Sequence, residues 1–303
     1  MVFLKNVNGP NSYNKANLQR EYIMKSPTYE ELFKRNEGYI ANQTQKKIRN
    51  TCLLIAGCGV GSTIVEAAAR IGFEKFILVD ADTVNIHNLN RQAFACRDIG
   101  MPKVSALARR IKEINPSAVV QEQNVWVNSE NIRSFVDESD FIFDTIDFLD
   151  IAAIVALHDE ANRKGKPIIS CVSAGWGAAA IFCPARPNAG CYFRDLFGLP
   201  ASGSVEGTSY VKLFTSFIQR IGAHLDKSIV DAMAKALTVM EDGTPCPAPH
   251  VAAGSYAAAS LAVTMVVRVL DGKKIISAPY LVLGDMGAVA SNTGIDLSPS
   301  SKS

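Results

Sequence analysis

TCLLIAGCGVGSTIVEAAARIGFEKFILVD, residues 51–80, changes period three times. The apolar run 52–56 is too short for a helix and ends on Gly57, Gly59 and Gly61. Residues 62–71 then carry apolar positions at helical spacing, and a second apolar run, 76–79, ends in Asp80. Strand, glycine turn, helix and strand in that order make a βαβ unit.

The same alternation continues outward. Helical patterns at 102–114, 131–136 and 151–164 are interleaved with strand patterns at 119–127, 141–143, 167–171 and 178–183. Such an order predicts an α/β fold: a Rossmann-like, mostly parallel sheet with helices on both faces. Residues 1–34 are polar and asparagine-rich and read as an N-terminal arm, ahead of a Rossmann-like domain over 35–183. Between Pro184 and Gly207 prolines and glycines break every period, which marks a functional or mobile loop. Helical patterns at 210–223, 228–239 and 252–270 and an apolar run at 280–283 follow. Residues 184–303 thus read as a crossover loop and a C-terminal extension of helices and strands completing the same globule.

Composition narrows the function. Apolar residues are 48% of 303 and charged residues 20%, enough burial to offset the entropy of ordering a globular chain. With 31 basic against 29 acidic residues, the net charge of +2 supplies no field for a nucleic acid or a membrane surface, so neither is expected as a partner. Seven cysteines form no C-x-x-C pair and there are only four histidines, so no zinc is expected. The odd cysteine count and the absence of a signal-like apolar run at the start point to the cytoplasm. Residues 251–267 are weakly polar but dominated by small side chains, which suits a buried helix better than a membrane span.

In an open parallel sheet, ligands sit beyond the carboxyl ends of the strands. Three segments follow strands there. The turn Gly57-Cys58-Gly59-Val60-Gly61 opens a helix, whose N-terminus favours phosphate. Asp80 and Asp82 follow the next strand, with Asp80 placed to accept ribose hydroxyls; Arg91 and Lys103 add cations suited to a triphosphate. Asp147, after the strand at 141–143, is a hard oxygen ligand for magnesium or else the N-cap of the next helix.

The glycine turn, Asp80-Ala81-Asp82, Asn88-Leu89-Asn90-Arg91-Gln92, Gly100-Met101-Pro102-Lys103 and Thr145-Ile146-Asp147 together resemble the ThiF-type adenylyltransferases of the ubiquitin-activating-enzyme-like superfamily. The resemblance implies that residues 35–183 are an ATP-binding adenylation domain. It implies ATP- and Mg2+-dependent activation of a carboxylate, of a peptide, a small carrier protein or a small acid, as an acyl-adenylate with release of pyrophosphate. Gly57, Gly59, Gly61, Asp80, Asp82, Asn88, Arg91, Gln92 and Lys103 would bind the nucleotide, and Asp147 the magnesium. Arg91, Lys103, Asp147 and Arg35 would be catalytic, with Arg35 acting in trans across a homodimer. Cys191 is the first position to test as an acyl carrier. The C-x-x-C pairs that hold zinc in many members are missing, because Cys191-Tyr192-Phe193-Arg194 keeps one cysteine and Cys246 stands alone.

Two other readings stand beside this one. The glycine turn is one residue shorter than the family's usual G-x-G-G-x-G, which suits a non-catalytic nucleotide-binding assembly partner. A nicotinamide dehydrogenase would use the turn and Asp80 but leave Arg91, Lys103 and Asp147 without duties.

Overall fold

The structure is a computed structural model that describes residues 26–185, 192–205, 207–241 and 249–294. Its strands are β1 Cys52–Ala56, β2 Lys75–Val79, β3 Val119–Gln123, β4 Phe141–Asp144, β5 Ile168–Ala174, β6 Gly177–Cys183 and β7 Val282–Asp285. The helices are α1 Tyr29–Phe33, α2 Asn42–Asn50, α3 Gly61–Ile71, α4 Lys103–Ile114, α5 Ile132–Glu138, α6 Ile151–Lys164, α7 Tyr192–Leu196, α8 Tyr210–Ile221, α9 Lys227–Glu241, α10 Ala252–Leu270 and α11 Met286–Asn292.

The seven strands form one sheet, ordered β3-β2-β1-β4-β5-β6-β7. β1 to β5 run parallel, β6 is antiparallel to β5, and β7 is antiparallel to β6. Strand alternation sends Leu53 and Ile55 to one face, against α3, α4 and α10, and Leu54 and Ala56 to the other, against α5 and α6. Both faces are therefore covered, as the near-continuous apolar strands require.

The C-terminal extension shares this sheet. β7 adds its last strand, and α10 lies across β5, β6 and α3. The helix is long and apolar enough to cross a membrane by length and composition, but Ala258, Ala262 and Val266 are fully buried on the sheet. It is the core helix that its small residues suggest.

Helices at Asn42–Asn50 and Met286–Asn292 are additions to the sequence reading, and three segments depart from what it expected. The strand expected over 119–127 stops at Gln123, because β3 is the edge of the sheet and nothing beyond demands further pairing. The end of the stretch read as an arm is folded: α1 buries Phe33, and the Tyr29 hydroxyl donates to the Gly72 carbonyl at 2.9 Å. Within the expected loop 184–207, α7 is helical and Arg194 anchors the chain. Its Nη2 donates to Asp159 Oδ2 at 2.7 Å and to the Gly203 carbonyl at 2.9 Å, and its Nη1 to the Pro200 carbonyl at 2.7 Å.

Candidate nucleotide and acyl site

β2 and β3 lie to one side of β1, and β4 to β7 to the other, so the strand order reverses between β1 and β4. Ligands of such sheets bind in the crevice at that point. The glycine turn enters it from β1 and is locked on both sides. Gly57 has φ +91°, and a Cβ there would stand 2.3 Å from the Thr145 carbonyl oxygen. A Cβ on Gly61 would meet Thr145 Oγ1 at 2.6 Å. The close approach lets the Thr145 hydroxyl donate to the Gly57 carbonyl at 2.5 Å.

Asp80 ties the turn to β2. Its carboxylate accepts from the Cys58 N–H at 2.6 Å and the Asp82 N–H at 2.8 Å, and burial raises its pKa. Lys103 opens α4 with its ammonium 2.6 Å from Asp82 and 4.0 Å from Asp80. The structure thus brings the turn, Asp80, Asp82 and Lys103 together on the β2 side.

The asparagine–arginine string closes the crevice. Asn88 is buried with its Oδ1 accepting from the Asn85 N–H at 2.8 Å, so that oxygen shapes the segment. Ser62 Oγ accepts from the Ala93 N–H at 2.9 Å and so binds the segment to α3. Gln92 is buried against Gly59, and its Oε1 has no partner among the described residues. Half-buried Arg91 donates from Nη1 to the His87 carbonyl at 2.8 Å. Burial works against its charge and the Asp147 carboxylate supports it.

Asp147 is exposed, and its Oδ1 accepts from the Leu149 N–H at 3.1 Å. The N-cap of α6 is Asp150, whose Oδ1 accepts from the Ala153 N–H at 3.0 Å. The capping duty that could have claimed Asp147 therefore falls elsewhere. The exit of β4 is held by a buried network in which Ser170 Oγ donates to Asp144 Oδ2 at 2.7 Å. His158 Nε2 lies 3.0 Å from the same Asp144 oxygen. On the other flank Phe148 sits among rings, 5.5 Å from Phe214 and 6.2 Å from Phe197 between centroids. Phe193 continues the chain, 4.6 Å from both Phe197 and His158.

Two residues of the extension complete the β4–β5 side, and sequence reasoning passed over both. Tyr210, stacked on Phe214 at 5.4 Å, has its pKa pushed up to about 12 by burial and by Asp147. His250 places Nδ1 3.4 Å from Ser173 Oγ, and its carbonyl accepts from Asn90 Nδ2 at 3.2 Å. Burial lowers the pKa of His250, Arg91 pushes it the same way, and Asp147 opposes. Arg35 is not part of this cluster. It is exposed in a single turn at Lys34–Asn36, where Asn36 Nδ2 donates to the Ile71 carbonyl at 2.9 Å, at the far end of α3. Cys191 and Cys246 lie outside the described residues.

The donor set fits a magnesium nucleotide. Asp80 at the β2 end can accept from a ribose, and the turn and α3 present a helix N-terminus to phosphate. Gln92 Oε1 is a buried acceptor without a partner among the described residues, which a donor such as a ribose hydroxyl or an adenine amino group can satisfy. Among the described residues nothing donates to the second oxygen of Asp147, and a carboxylate oxygen is the hard donor that magnesium prefers.

Comparisons with known proteins bear on the family and the fold. Residues 33–288 match the sequence model of the ThiF family. A tRNA threonylcarbamoyladenosine dehydratase of Bacillus subtilis (strain 168) is 34% identical over 145 residues, 47% of this chain and 56% of the relative. tRNA threonylcarbamoyladenosine dehydratase 2 of Saccharomyces cerevisiae is 33% identical over 187 residues, 58% of this chain and 40% of the relative. The chain thus spans about half the length of the curated relatives it matches. Among solved structures, E. coli MccB with ATP aligns with TM-score 0.57 at 21% identity, over 93% of this chain and 80% of that one. E. coli TcdA with ATP aligns with TM-score 0.53 at 17% identity, over 80% of this chain and 95% of that one. Those two likenesses bear on the fold alone. The match of the family model across most of the chain, on a sheet that carries its motifs at the switch point, shows that the chain belongs to the ThiF family.

Proposed function

We propose that the protein activates a carboxylate with ATP, forming an acyl-adenylate and releasing pyrophosphate. The observation that carries this reading is the gathering of the glycine turn, Asp80 and Lys103 at the switch point, where the Cys58 N–H donates to Asp80 at 2.6 Å and the Lys103 ammonium stands 4.0 Å from the same carboxylate. A dinucleotide's pyrophosphate would leave Arg91, Asp147 and Lys103 without a task.

A carboxylate is ionised at neutral pH and attacks the α-phosphorus unaided, so the first step needs no general base. Catalysis is then positioning and charge neutralisation. Asp80 holds the ribose and the turn seats the phosphates. Lys103, now paired with Asp82, and Arg91, now resting on the His87 carbonyl, offset the charge that gathers on the departing pyrophosphate. Bound at Asp147, magnesium would screen the phosphates from the incoming carboxylate.

The substrate class is a peptide or small carrier-protein carboxyl group, or a small acid. E. coli MccB, similar in fold, was crystallised with ATP and with MccA-derived ligands, and a SAMP-activating enzyme E1 of Haloferax volcanii is 25% identical over 169 residues. The test is incorporation of labelled pyrophosphate into ATP, with a panel of peptide C-termini, small acids and threonylcarbamoyladenosine nucleoside. Exchange that depends on one of these carboxylates is the expected result. ATP binding without exchange across the panel would favour a non-catalytic assembly partner instead.

Arg35 supports a homodimer. α3 is about 15 Å long at 1.5 Å per residue, which keeps Arg35 away from the turn of its own chain. Tyr39 nearby is 97% exposed, as an unpaired interface residue would be. If Arg35 acts in trans, mixing inactive Arg35→Ala and Asp147→Ala chains restores about a quarter of wild-type exchange, since half the dimers then carry one intact site of two. Full exchange by Arg35→Ala alone would assign Arg35 to the surface, and no recovery after exchange of subunits would overturn action in trans.

A further inference from the structure

We propose that His250 is the general base of the step after adenylation, taking the proton of the nucleophile that displaces AMP. The inference rests on the adenylation reading above. Its geometry comes from the order of strand ends across the crevice. Asp80 leaves β2, the glycine turn leaves β1, Asp147 follows β4, and Ser173 lies near the end of β5. At about 4.8 Å between strands, Ser173 stands roughly 10 Å from the turn, on the side away from the ribose. Asp144 pairs with Ser170, so Asp147 and Ser173, each three residues further on, both lie beyond that pair on the rim. A nucleotide with its ribose at Asp80 and its α-phosphate over the turn therefore presents its acyl group toward β4 and β5, where His250 is held.

His250 is fixed from two directions, by the Asn90 amide on its carbonyl and by Ser173 Oγ near its ring. Asn90 sits beside Arg91 in the phosphate-facing string, so the same segment positions nucleotide and imidazole. The tautomer that donates Nδ1–H to Ser173 Oγ leaves the lone pair on Nε2. The charged groups that act on the ring are Arg91 and Asp147; burial and Arg91 lower its pKa against the opposing Asp147, the direction that favours the form a base requires.

The step balances without a further reagent. The lone pair of an amine or amide nitrogen adds to the carbonyl carbon, and the bond from that carbon to the phosphate oxygen breaks with its electrons leaving on AMP. One N–H proton passes to His250 Nε2 and then to water. Adenylation needs no base, so His250 is idle in the first half-reaction and used in the second.

The experiment uses the full chain with ATP, magnesium and the carboxylate that supports exchange, and offers two acceptors, glycinamide and hydroxylamine. Both acceptors lose a proton on attack, but hydroxylamine is nucleophilic enough to capture acyl-adenylates without a positioned base, whereas glycinamide depends on one. In His250→Gln the ratio of glycinamide product to hydroxamate falls about 100-fold, the usual contribution of a positioned base. Ser173→Ala, which keeps the imidazole but loosens it, lowers the ratio by about tenfold, and tests the idea should the histidine variant not fold. An unchanged ratio in both variants, or equal losses with the two acceptors, overturns the proposal while leaving adenylation standing. Wild-type protein that exchanges with no carboxylate overturns both.

Discussion

Asp147→Ala lowers carboxylate-dependent pyrophosphate exchange by about 100-fold, the ~3 kcal/mol that one preorganised electrostatic contact supplies. The loss falls on catalysis and not on folding. The side chain is exposed and its one hydrogen bond in the described structure is to the Leu149 N–H, so the melting midpoint moves by less than about 2 °C. Asp147→Asn separates charge from shape, since the amide keeps the turn but coordinates magnesium weakly. Exchange and thermal denaturation on the three proteins check the expectation. Exchange that survives in both variants would remove Asp147 from the reaction and leave Arg91 opposite a carboxylate of no consequence.

Gly57→Ala destabilises the protein by about 3 kcal/mol, from a strained positive φ and a forced retreat of the β4 exit. The new methyl would stand 2.3 Å from the Thr145 carbonyl oxygen and 2.8 Å from the Ile146 nitrogen, both backbone atoms that cannot swing aside. Gly59→Ala is the control within the same turn. Its methyl meets Gln92 Nε2 at 3.4 Å, so its stability cost is below about 1 kcal/mol. Urea unfolding of the two variants checks the contrast. Equal stabilities would mean that the turn yields freely, and the locked cradle described above would be wrong.

The sheet was legible because its strands are buried on both faces. Residues 52–56 and 76–79 read as continuous apolar runs, and the glycines between them announce the crossover. Beyond Gln123 the apolar Val125 and Val127 prolonged the expected strand, although they lie past the last pairing with β2. The helix Tyr29–Phe33 is too short to show a period, yet Thr28 and Glu31 form a capping box that the sequence does display. Asp80, Asp82, Lys103 and Arg91 could be named from their places after β2 and along the motif string. His250 could not, because its partners are distant in the chain: Ser173 lies 77 residues away and Asn90 160. The same holds for Tyr210, whose link to Asp147 exists only in three dimensions.

The rings around Phe148 gear the two halves of the chain together. Phe148 directly follows Asp147, and its seat is made by Phe197 and Phe214, beside α7 and on α8. The loop that carries the Asp147 carboxylate is therefore seated on side chains of the C-terminal half. If the proposed chemistry takes place at the rim, a change in the pose of those helices reaches Asp147 through one ring, Phe148.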